Sequence, residues 1–133
     1  MRRIIFLFVM ISAVACTDNK ELSFKKVDNG IDLLYKHKTE EAKKLFEEAL
    51  NLYDKNYEAW YYLGNYYANK REYKKAIEKY TKAISVNGKF ADAYYGRAEA
   101  KFYLNDKKGA CADWKLASKY GRKNLEDKLW HCN

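Results

Sequence analysis

Four sets of positions in this chain recur at a fixed interval of 34 residues, and this period constrains the fold more than any other feature. Each set keeps its chemical type, either very small or aromatic: Gly30, Gly64 and Ala98; Ala42, Ala76 and Ala110; Phe46, Tyr80 and Trp114; Ala49, Ala83 and Ala117. A period of this length in a helical pattern indicates one supersecondary unit that is repeated three times and stacked. The sequence therefore predicts an all-α fold of three helix-turn-helix repeats.

The residue types of the repeat predict how its two helices pack. Helices approach closely only where the side chains between them are small. The Gly or Ala on the first helix of each unit should therefore face the two alanines of the second helix. The aromatic residue of the second helix should fill the space between neighbouring units.

The second unit carries the complete pattern, which resembles the tetratricopeptide repeat. The matching residues are Trp60, Leu63, Gly64, Tyr67, Ala76, Tyr80 and Ala83. The resemblance covers about residues 23–122 and implies a right-handed solenoid of three repeats, at about 23–56, 57–90 and 91–122. The outer units depart from the pattern. Lys26 and Asn29 stand where the family has Trp and Leu, and Arg97 and Lys101 stand where it has Leu and Tyr.

The repeat also gives a helix map for residues 22–122. The three pairs are expected near residues 22–36 and 39–53, 57–70 and 73–86, and 91–104 and 107–120. Gly121 should end the last of these helices, and a capping helix at about 122–131 should follow within the C-terminal segment 123–133. Its residues Leu125, Leu129 and Trp130 are expected to cover the open end of the stack, because a terminal repeat otherwise exposes its core.

The N-terminus has a different composition from the repeats. Arg2 and Arg3 precede an apolar run at residues 4–15 that only Ser12 interrupts. A stable membrane-spanning helix needs about 20 apolar residues, so this run is too short for one. A charged start, an apolar stretch and small residues at its end are typical of a secretory signal peptide. Residues 1–15 are therefore expected to be removed on export.

The residue that follows this segment is a cysteine. The sequence Ala13-Val14-Ala15-Cys16 resembles a bacterial lipobox, which implies that Cys16 receives a diacylglycerol and becomes the new N-terminus. Residues 16–21 would then be a short lipid-anchored tether, and the protein would be a lipoprotein of the bacterial envelope, on the periplasmic or surface face of the outer membrane. The alternative is an ordinary signal peptide with a chance cysteine at the first mature position.

Three cysteines are an odd number for an exported protein. Lipidation of Cys16 would leave Cys111 and Cys132, which lie ten residues before and eleven residues after Gly121. Positions equidistant from a turn face each other in antiparallel helices, so a disulfide between these two is expected. Two alternatives remain. The thiols could be free and buried, or they could bind zinc together with His131, although a fourth ligand is not evident.

The formal net charge is +8, and most of the excess lies on the second helices of the repeats. The lysines concerned are Lys43, Lys44, Lys74, Lys75, Lys79, Lys82, Lys107, Lys108, Lys115 and Lys119. The family resemblance places these helices on a convex outer face. That face could contact an anionic lipid surface or an acidic protein, or it could simply be solvated. Nucleic acid is not expected as a partner, because exposed aromatic residues are not interleaved with these lysines.

The same resemblance implies that the first helices line a concave face. Candidate groove residues at exposed positions of the second and third units are Glu58, Tyr61, Tyr62, Asn65, Asn69, Asp92, Tyr95, Glu99 and Tyr103. The first unit would add Phe24, Val27, Asp28 and Ile31. Tyrosines and amides suit an extended peptide, since they offer contact area together with hydrogen bonds to its backbone. Tyr62 and Tyr103 could instead pack between helices.

Some members of the family hold a peptide C-terminus with a clamp of Lys, Asn and Arg. The matching positions here are Val27, Ile31, Tyr62, Asp92 and Gly96, so the clamp is absent. The acidic residues of the candidate groove favour a ligand of basic or neutral character.

Nothing in the sequence indicates catalysis. His37 and His131 have no nucleophile and carboxylate at compatible positions, and there is no glycine-rich phosphate loop. We therefore expect no catalytic residues, no cofactor, no metal and no small-molecule substrate. The sequence predicts a non-enzymatic interaction module, lipid-anchored in the envelope, that binds a peptide or protein partner in its groove. The alternative is a scaffold that acts through its basic convex face at a membrane surface.

Overall fold

The computed structural model describes the backbone of residues 2–132 and the side chains of residues 18–132. The predicted signal peptide and the predicted lipidation site Cys16 lie outside the described side chains. The helices are α1 (Arg2–Tyr35), α2 (Thr39–Leu52), α3 (Tyr57–Asn69), α4 (Tyr73–Val86), α5 (Ala91–Tyr103), α6 (Lys107–Lys119) and α7 (Glu126–Trp130). No strand occurs within residues 2–132. The fold is all-α, as the period predicts.

Two helix boundaries differ from the sequence-based map. Helix α1 begins at Arg2 rather than near residue 22, since neither Gly nor Pro interrupts the chain before Gly30. The capping helix α7 is only five residues long, whereas the prediction extended from 122 to 131. Gly121 and Asn124 have positive φ angles of 103° and 59°, and this left-handed backbone delays the start of the helix. In the part of the chain with described side chains, no helix is long and apolar enough to span a membrane.

The chain divides into two compact units, Met1–Asn56 and Tyr57–Asn133. In the first unit α1 and α2 form a pair, and the ring of Phe46 lies directly on Gly30. A Cβ atom at Gly30 would be only 2.5 Å from Cε1 of Phe46. Below this contact the buried Ser23 hydroxyl donates to the carbonyl oxygen of Ala49 at 2.7 Å and accepts from Nδ2 of Asn56 at 2.9 Å. The hydrogen bonds satisfy buried polar groups that would otherwise destabilise the unit.

In the second unit α3 pairs with α4 and α5 pairs with α6. The buried ring of Tyr80 on α4 lies between Gly64 on α3 and Gly96 on α5. A Cβ atom at Gly64 or at Gly96 would approach this ring to 2.5 Å or 2.6 Å. Tyr80 therefore fills the space between neighbouring repeats, which is the role that the period predicts for it. Trp114 occupies the equivalent position of the next repeat, against Ala98 and Ala110.

The turns inside the three helix pairs repeat the 34-residue spacing in their backbone geometry. His37, Arg71 and Asn105 have φ angles of 58°, 60° and 64°. The residue after each of them donates its backbone N–H to the carbonyl oxygen of the residue five positions earlier. In the second repeat, for example, Glu72 N–H donates to the carbonyl oxygen of Tyr67 at 2.9 Å. This arrangement ends a helix by satisfying its last carbonyls, although Gly is the residue that favours it most.

The C-terminal segment covers the end of the third repeat with fewer residues than predicted. Leu125 is buried against Tyr94 and Ala117, and Leu129 packs beside Trp114. Trp130 does not contribute, because 78% of its surface is exposed. The prediction for Trp130 was wrong because the short α7 turns this residue away from the repeat.

Candidate peptide-binding groove

Seven of the nine groove positions proposed for the second and third repeats line one concavity in the second unit. Helix α3 contributes Tyr61, Asn65 and Asn69, and helix α5 contributes Asp92, Tyr95, Glu99 and Tyr103. We call this concavity of about 720 Å³ the groove. Its other lining residues are Ala68, Arg71, Tyr73, Tyr80, Gly96, Ala100 and Arg122.

Two of the predicted residues are not part of this lining. The ring of Tyr62 packs edge-on against Tyr61, with centroids 5.1 Å apart, so it supports the groove from beside it. Glu58 forms a hydrogen bond with the side chain of Tyr57 at the start of α3. The helical phase alone does not exclude Glu58 and Tyr62 from the groove, because each lies within one helical turn of the lining residue Tyr61.

Tyrosine rings form much of the groove wall. Tyr61 contacts Tyr80 and Phe90 with centroid distances of 6.0 Å and 5.1 Å. At the other end Tyr73 and Tyr103 stack 4.8 Å apart with an interplanar angle of 8°. Tyr103 remains 64% exposed, so it both packs and presents a free face to a ligand. Rigid aromatic surfaces of this kind supply contact area at a low cost in conformational entropy.

Asn65 organises the floor of the groove. Its Oδ1 atom accepts a hydrogen bond from the hydroxyl of Tyr80 at 2.7 Å. Burial raises the pKa of the Tyr80 phenol. Burial also raises the pKa of Tyr61, and this effect outweighs a hydrogen bond with Asn65 that lowers it. Both phenols are therefore neutral at physiological pH and act as hydrogen-bonding groups.

The two carboxylates of the groove are already paired with cations of the C-terminal segment. Arg122 Nη1 donates to Asp92 Oδ1, and the Arg122 guanidinium lies 4.3 Å from the centroid of the Tyr95 ring. Glu99 Oε1 accepts from Lys128 Nζ at 2.6 Å and from Trp114 Nε1 at 3.0 Å. The expectation that these acidic residues favour a basic ligand is therefore not supported.

The pairing with Glu99 affects the pKa of Lys128. Partial burial lowers the pKa of its ammonium group, but the hydrogen bond and the negative charge of Glu99 outweigh burial, and the pKa is raised overall. Lys128 therefore stays charged at neutral pH, and it also lies 4.9 Å from the centroid of the Trp114 ring. Lys128 therefore links Glu99 of the groove to the Trp114 ring of the third repeat.

Sequence reasoning did not place Arg71, Tyr73 or Arg122 in the groove, although all three line it. Arg71 and Tyr73 flank the turn between α3 and α4, beyond the helical phase on which the prediction depends. Arg71 is exposed, and its side chain has no ion pair or hydrogen bond within residues 18–132. It is therefore the one lining cation of the described groove that is not held by a carboxylate. Arg122 could be found only from the three-dimensional path after Gly121.

The four candidate groove residues of the first unit lie in different environments. Val27 is completely buried, so it belongs to the core and not to an exposed face. Phe24 packs against Tyr53 with ring centroids 6.5 Å apart, and Ile31 is half-buried. Asp28 is exposed. The burial of Val27 follows from its position one turn before Gly30, on the face of α1 that contacts α2.

Cys111 and Cys132 are joined by a disulfide, with an S–S distance of 2.03 Å and a Cα–Cα distance of 5.5 Å. The bond links α6 to the residues after α7. Neither sulfur is then a thiolate that could bind zinc, and the described residues contain no group of three or more potential metal ligands.

Residues 27–91 match the family model described as tetratricopeptide repeat. Among solved structures, the second such domain of Spaghetti (RPAP3), bound to the HSP90 peptide SRMEEVD, has a TM-score of 0.78 and 18% identity. That match covers 85% of this chain and 98% of the other. The Arabidopsis OM64 domain has a TM-score of 0.78 and 21% identity, over 86% and 97% of the two chains.

The second domain of human RPAP3, in complex with the HSP70 peptide SGPTIEEVD, has a TM-score of 0.74 and 19% identity, over 85% and 97% of the chains. A comparison with curated protein sequences gives no match. The helix pairs and these likenesses confirm the predicted fold class and support a tetratricopeptide-repeat protein. Such a fold is typical of protein-interaction modules.

Proposed function

We propose that this chain is a non-enzymatic interaction module that binds an extended segment of a partner protein in its groove. The observation that carries the proposal is the convergence of Tyr61, Asn65, Tyr95 and Tyr103 on one concavity of about 720 Å³. Concave sites with aromatic walls and a few fixed polar groups are the usual form of a binding site. The fold neighbours bound to HSP90 and HSP70 peptides support a peptide as the ligand.

The charges of the groove indicate the character of that peptide. Asp92 and Glu99 are neutralised by Arg122 and Lys128, so the centre of the groove carries little net charge. At the rim Arg71 offers a guanidinium group, which binds carboxylates well because its donors form a planar fork. We infer a peptide with neutral or apolar residues over the tyrosines and a hydrogen-bond acceptor beside Arg71.

Site-specific cross-linking tests the groove and captures its partner in the same experiment. We would place p-benzoylphenylalanine at Asn69, which is exposed and lines the groove, and at Lys82, which is exposed on α4. The proposal expects a discrete cross-linked partner from position 69 and none from position 82. A partner that cross-links only from position 82 would contradict groove binding.

We further propose that Cys16 carries a diacylglycerol and holds the protein in the bacterial envelope. The support is the sequence: two arginines, an apolar run, small residues and then Cys16. The intact mass of membrane-extracted protein should show the lipid on a chain that begins at Cys16. Cys16→Ser should release the protein from membranes or leave the precursor uncut, and an unmodified soluble chain in the wild type would contradict the proposal.

The alternative role, a scaffold held by its basic face, is weakened by local pairing of several lysines. Lys43 lies 3.2 Å from Glu47, Lys75 lies 2.5 Å from Glu72 and Lys79 lies 3.0 Å from Glu78. Salt separates the two roles. Attraction through exposed lysines should largely disappear at about 0.5 M salt, because the Debye length is then only a few ångströms. Groove binding should persist.

A further inference from the structure

A second concave region surrounds the disulfide, away from the groove lining. One pocket of about 520 Å³ is lined by Phe102, Trp114 and Lys128, and an adjoining pocket of about 510 Å³ is lined by Lys108 and Lys115. Lys107, Cys111 and His131 line both, so the two pockets form one continuous surface. We call it the disulfide pocket.

The floor of the disulfide pocket is apolar. The Trp114 and Phe102 rings lie 5.7 Å apart in a tilted arrangement, and the disulfide sulfur of Cys111 lies beside them. Phe102 is 47% exposed even though it is a large hydrophobic residue. A floor of this composition stabilises one inserted aromatic or large aliphatic side chain, since the water released from both surfaces favours the contact.

The rim of the disulfide pocket is basic. Lys107, Lys108 and Lys115 of α6 have no ion pair or hydrogen bond of their side chains within residues 18–132. Only one carboxylate, Asp127, lines the same surface, while Asp106 is occupied as the N-cap of α6 through Gly109 N–H at 2.9 Å. Lys107 lines the pocket with the apolar floor, and Lys108 and Lys115 line the adjoining pocket. These uncompensated lysines would be complementary to carboxylates on a partner.

We propose that the disulfide pocket is a second binding site, which takes an acidic segment of a partner protein with one aromatic or large aliphatic side chain. The large side chain enters beside Trp114, and flanking carboxylates contact Lys107, Lys108 and Lys115. A membrane fits less well, because the Trp114 ring at the centre of the proposed contact is recessed and only 5% exposed. The protruding residue that would enter a membrane, Trp130, is not part of the pocket lining.

A blocked pentapeptide with tryptophan between two pairs of glutamates is a direct probe. We would titrate it into the full chain in dodecyl maltoside micelles and follow the indole N–H signals of Trp60, Trp114 and Trp130 by NMR. The proposal expects a saturable shift of the Trp114 signal. It expects weakening by about tenfold when alanine replaces the peptide tryptophan, and loss of binding when lysines replace the glutamates.

Matched variants locate the site. Lys107→Glu combined with Lys108→Glu should weaken the acidic peptide by about tenfold, whereas Lys74→Glu combined with Lys82→Glu on α4 should not. Phe102→Ser should weaken it as well, and Trp130→Ala should leave it unchanged. Equal binding by all variants would overturn the proposal.

A lipid control distinguishes the rival occupant. Micelles that contain phosphatidylglycerol should not move the Trp114 signal. If the lipid shifts Trp114 and Trp130 while the acidic peptide does not bind, the surface is a membrane contact and the proposal is wrong.

Discussion

Arg97 and Asp113 form a two-pronged ion pair inside the third repeat, with Nε–Oδ2 and Nη2–Oδ1 distances of 2.8 Å. Asp113 is only 2% exposed, and Lys101 Nζ lies 2.8 Å from the same carboxylate. Arg97 and Lys101 are the two departures of this repeat from the tetratricopeptide pattern. The structure explains both departures, because Arg97 and Lys101 pair with the same buried acid, Asp113, on the facing helix α6.

Removal of this buried charge should destabilise the protein strongly. Asp113→Asn keeps the shape of the side chain but leaves Arg97 and Lys101 without a counter-charge, so the free energy of unfolding should fall by about 3 kcal/mol. Urea unfolding measures it. Glu41→Gln, which breaks the exposed pair with Lys38, should change the stability by less than about 1 kcal/mol. Similar losses in the two variants would show that the buried network is unimportant.

The contact between Tyr80 and the glycines of the neighbouring helices makes a steric prediction. Gly96→Ala places a methyl group 2.6 Å from a buried ring whose hydroxyl is tied to Asn65, so the stability should fall by about 1–3 kcal/mol. Gly88→Ala is the control, because its nearest neighbour is 3.8 Å away. Thermal unfolding of both variants gives the comparison, and a harmless Gly96→Ala would contradict the packing of Tyr80.

Glycine in place of His37 should stabilise the left-handed turn at this position. Glycine adopts a φ of 58° without the steric cost of a side chain, so His37→Gly should raise the stability by about 0.5–1 kcal/mol. Lys44→Gly, in the middle of α2 at an exposed position, should lower it by about 1 kcal/mol. Losses in both variants would mean that the turn at His37 has another conformation in solution.

The disulfide should hold the C-terminal segment in place. It closes a loop with a sequence separation of 21 residues, which the chain-entropy model values at about 3 kcal/mol. Reduction, or Cys132→Ser, should lower the melting temperature and increase hydrogen exchange first in α7. Two alkylatable thiols in the native, unreduced protein would show that the bond does not form.

The sequence predicts what depends on helical phase and little of what depends on the path of the chain. Tyr61, Asn65 and Tyr95 can be assigned to one face because the 34-residue period fixes their register on α3 and α5. The pairing of Asp92 with Arg122 cannot be assigned from the sequence, since it depends on the path of the chain after the left-handed residue Gly121.

The charged residues that were misinterpreted from the sequence have partners that are distant along the chain. Asp92 and Glu99 resemble an acidic rim because their partners are 30 and 29 residues away in the sequence. Arg97 and Lys101 resemble simple departures from a family pattern because nothing local to α5 indicates a buried acid on α6. Long-range ion pairs leave no periodic signal in one sequence.

Tyr95 is a poorer probe of the groove than the sequence suggests. Its helical phase predicts an exposed residue whose truncation leaves the fold intact, but it packs against Arg122 and the core around Trp114. Tyr95→Ala should therefore lower both binding and stability. Tyr103, whose ring is largely exposed at the end of the groove, separates the two effects better.

The affinity of the Tyr103→Ala variant for the partner segment captured by cross-linking at position 69 tests the groove most directly. The account predicts a dissociation constant about tenfold higher than that of the wild type, because truncation of an aromatic contact at such a surface costs more than about 1 kcal/mol. Tyr35→Ala, at an exposed tyrosine of the first unit, should bind as the wild type does, and so should Lys74→Glu combined with Lys82→Glu. If those lysine changes abolish binding and Tyr103→Ala does not, the basic face and not the groove is the binding surface.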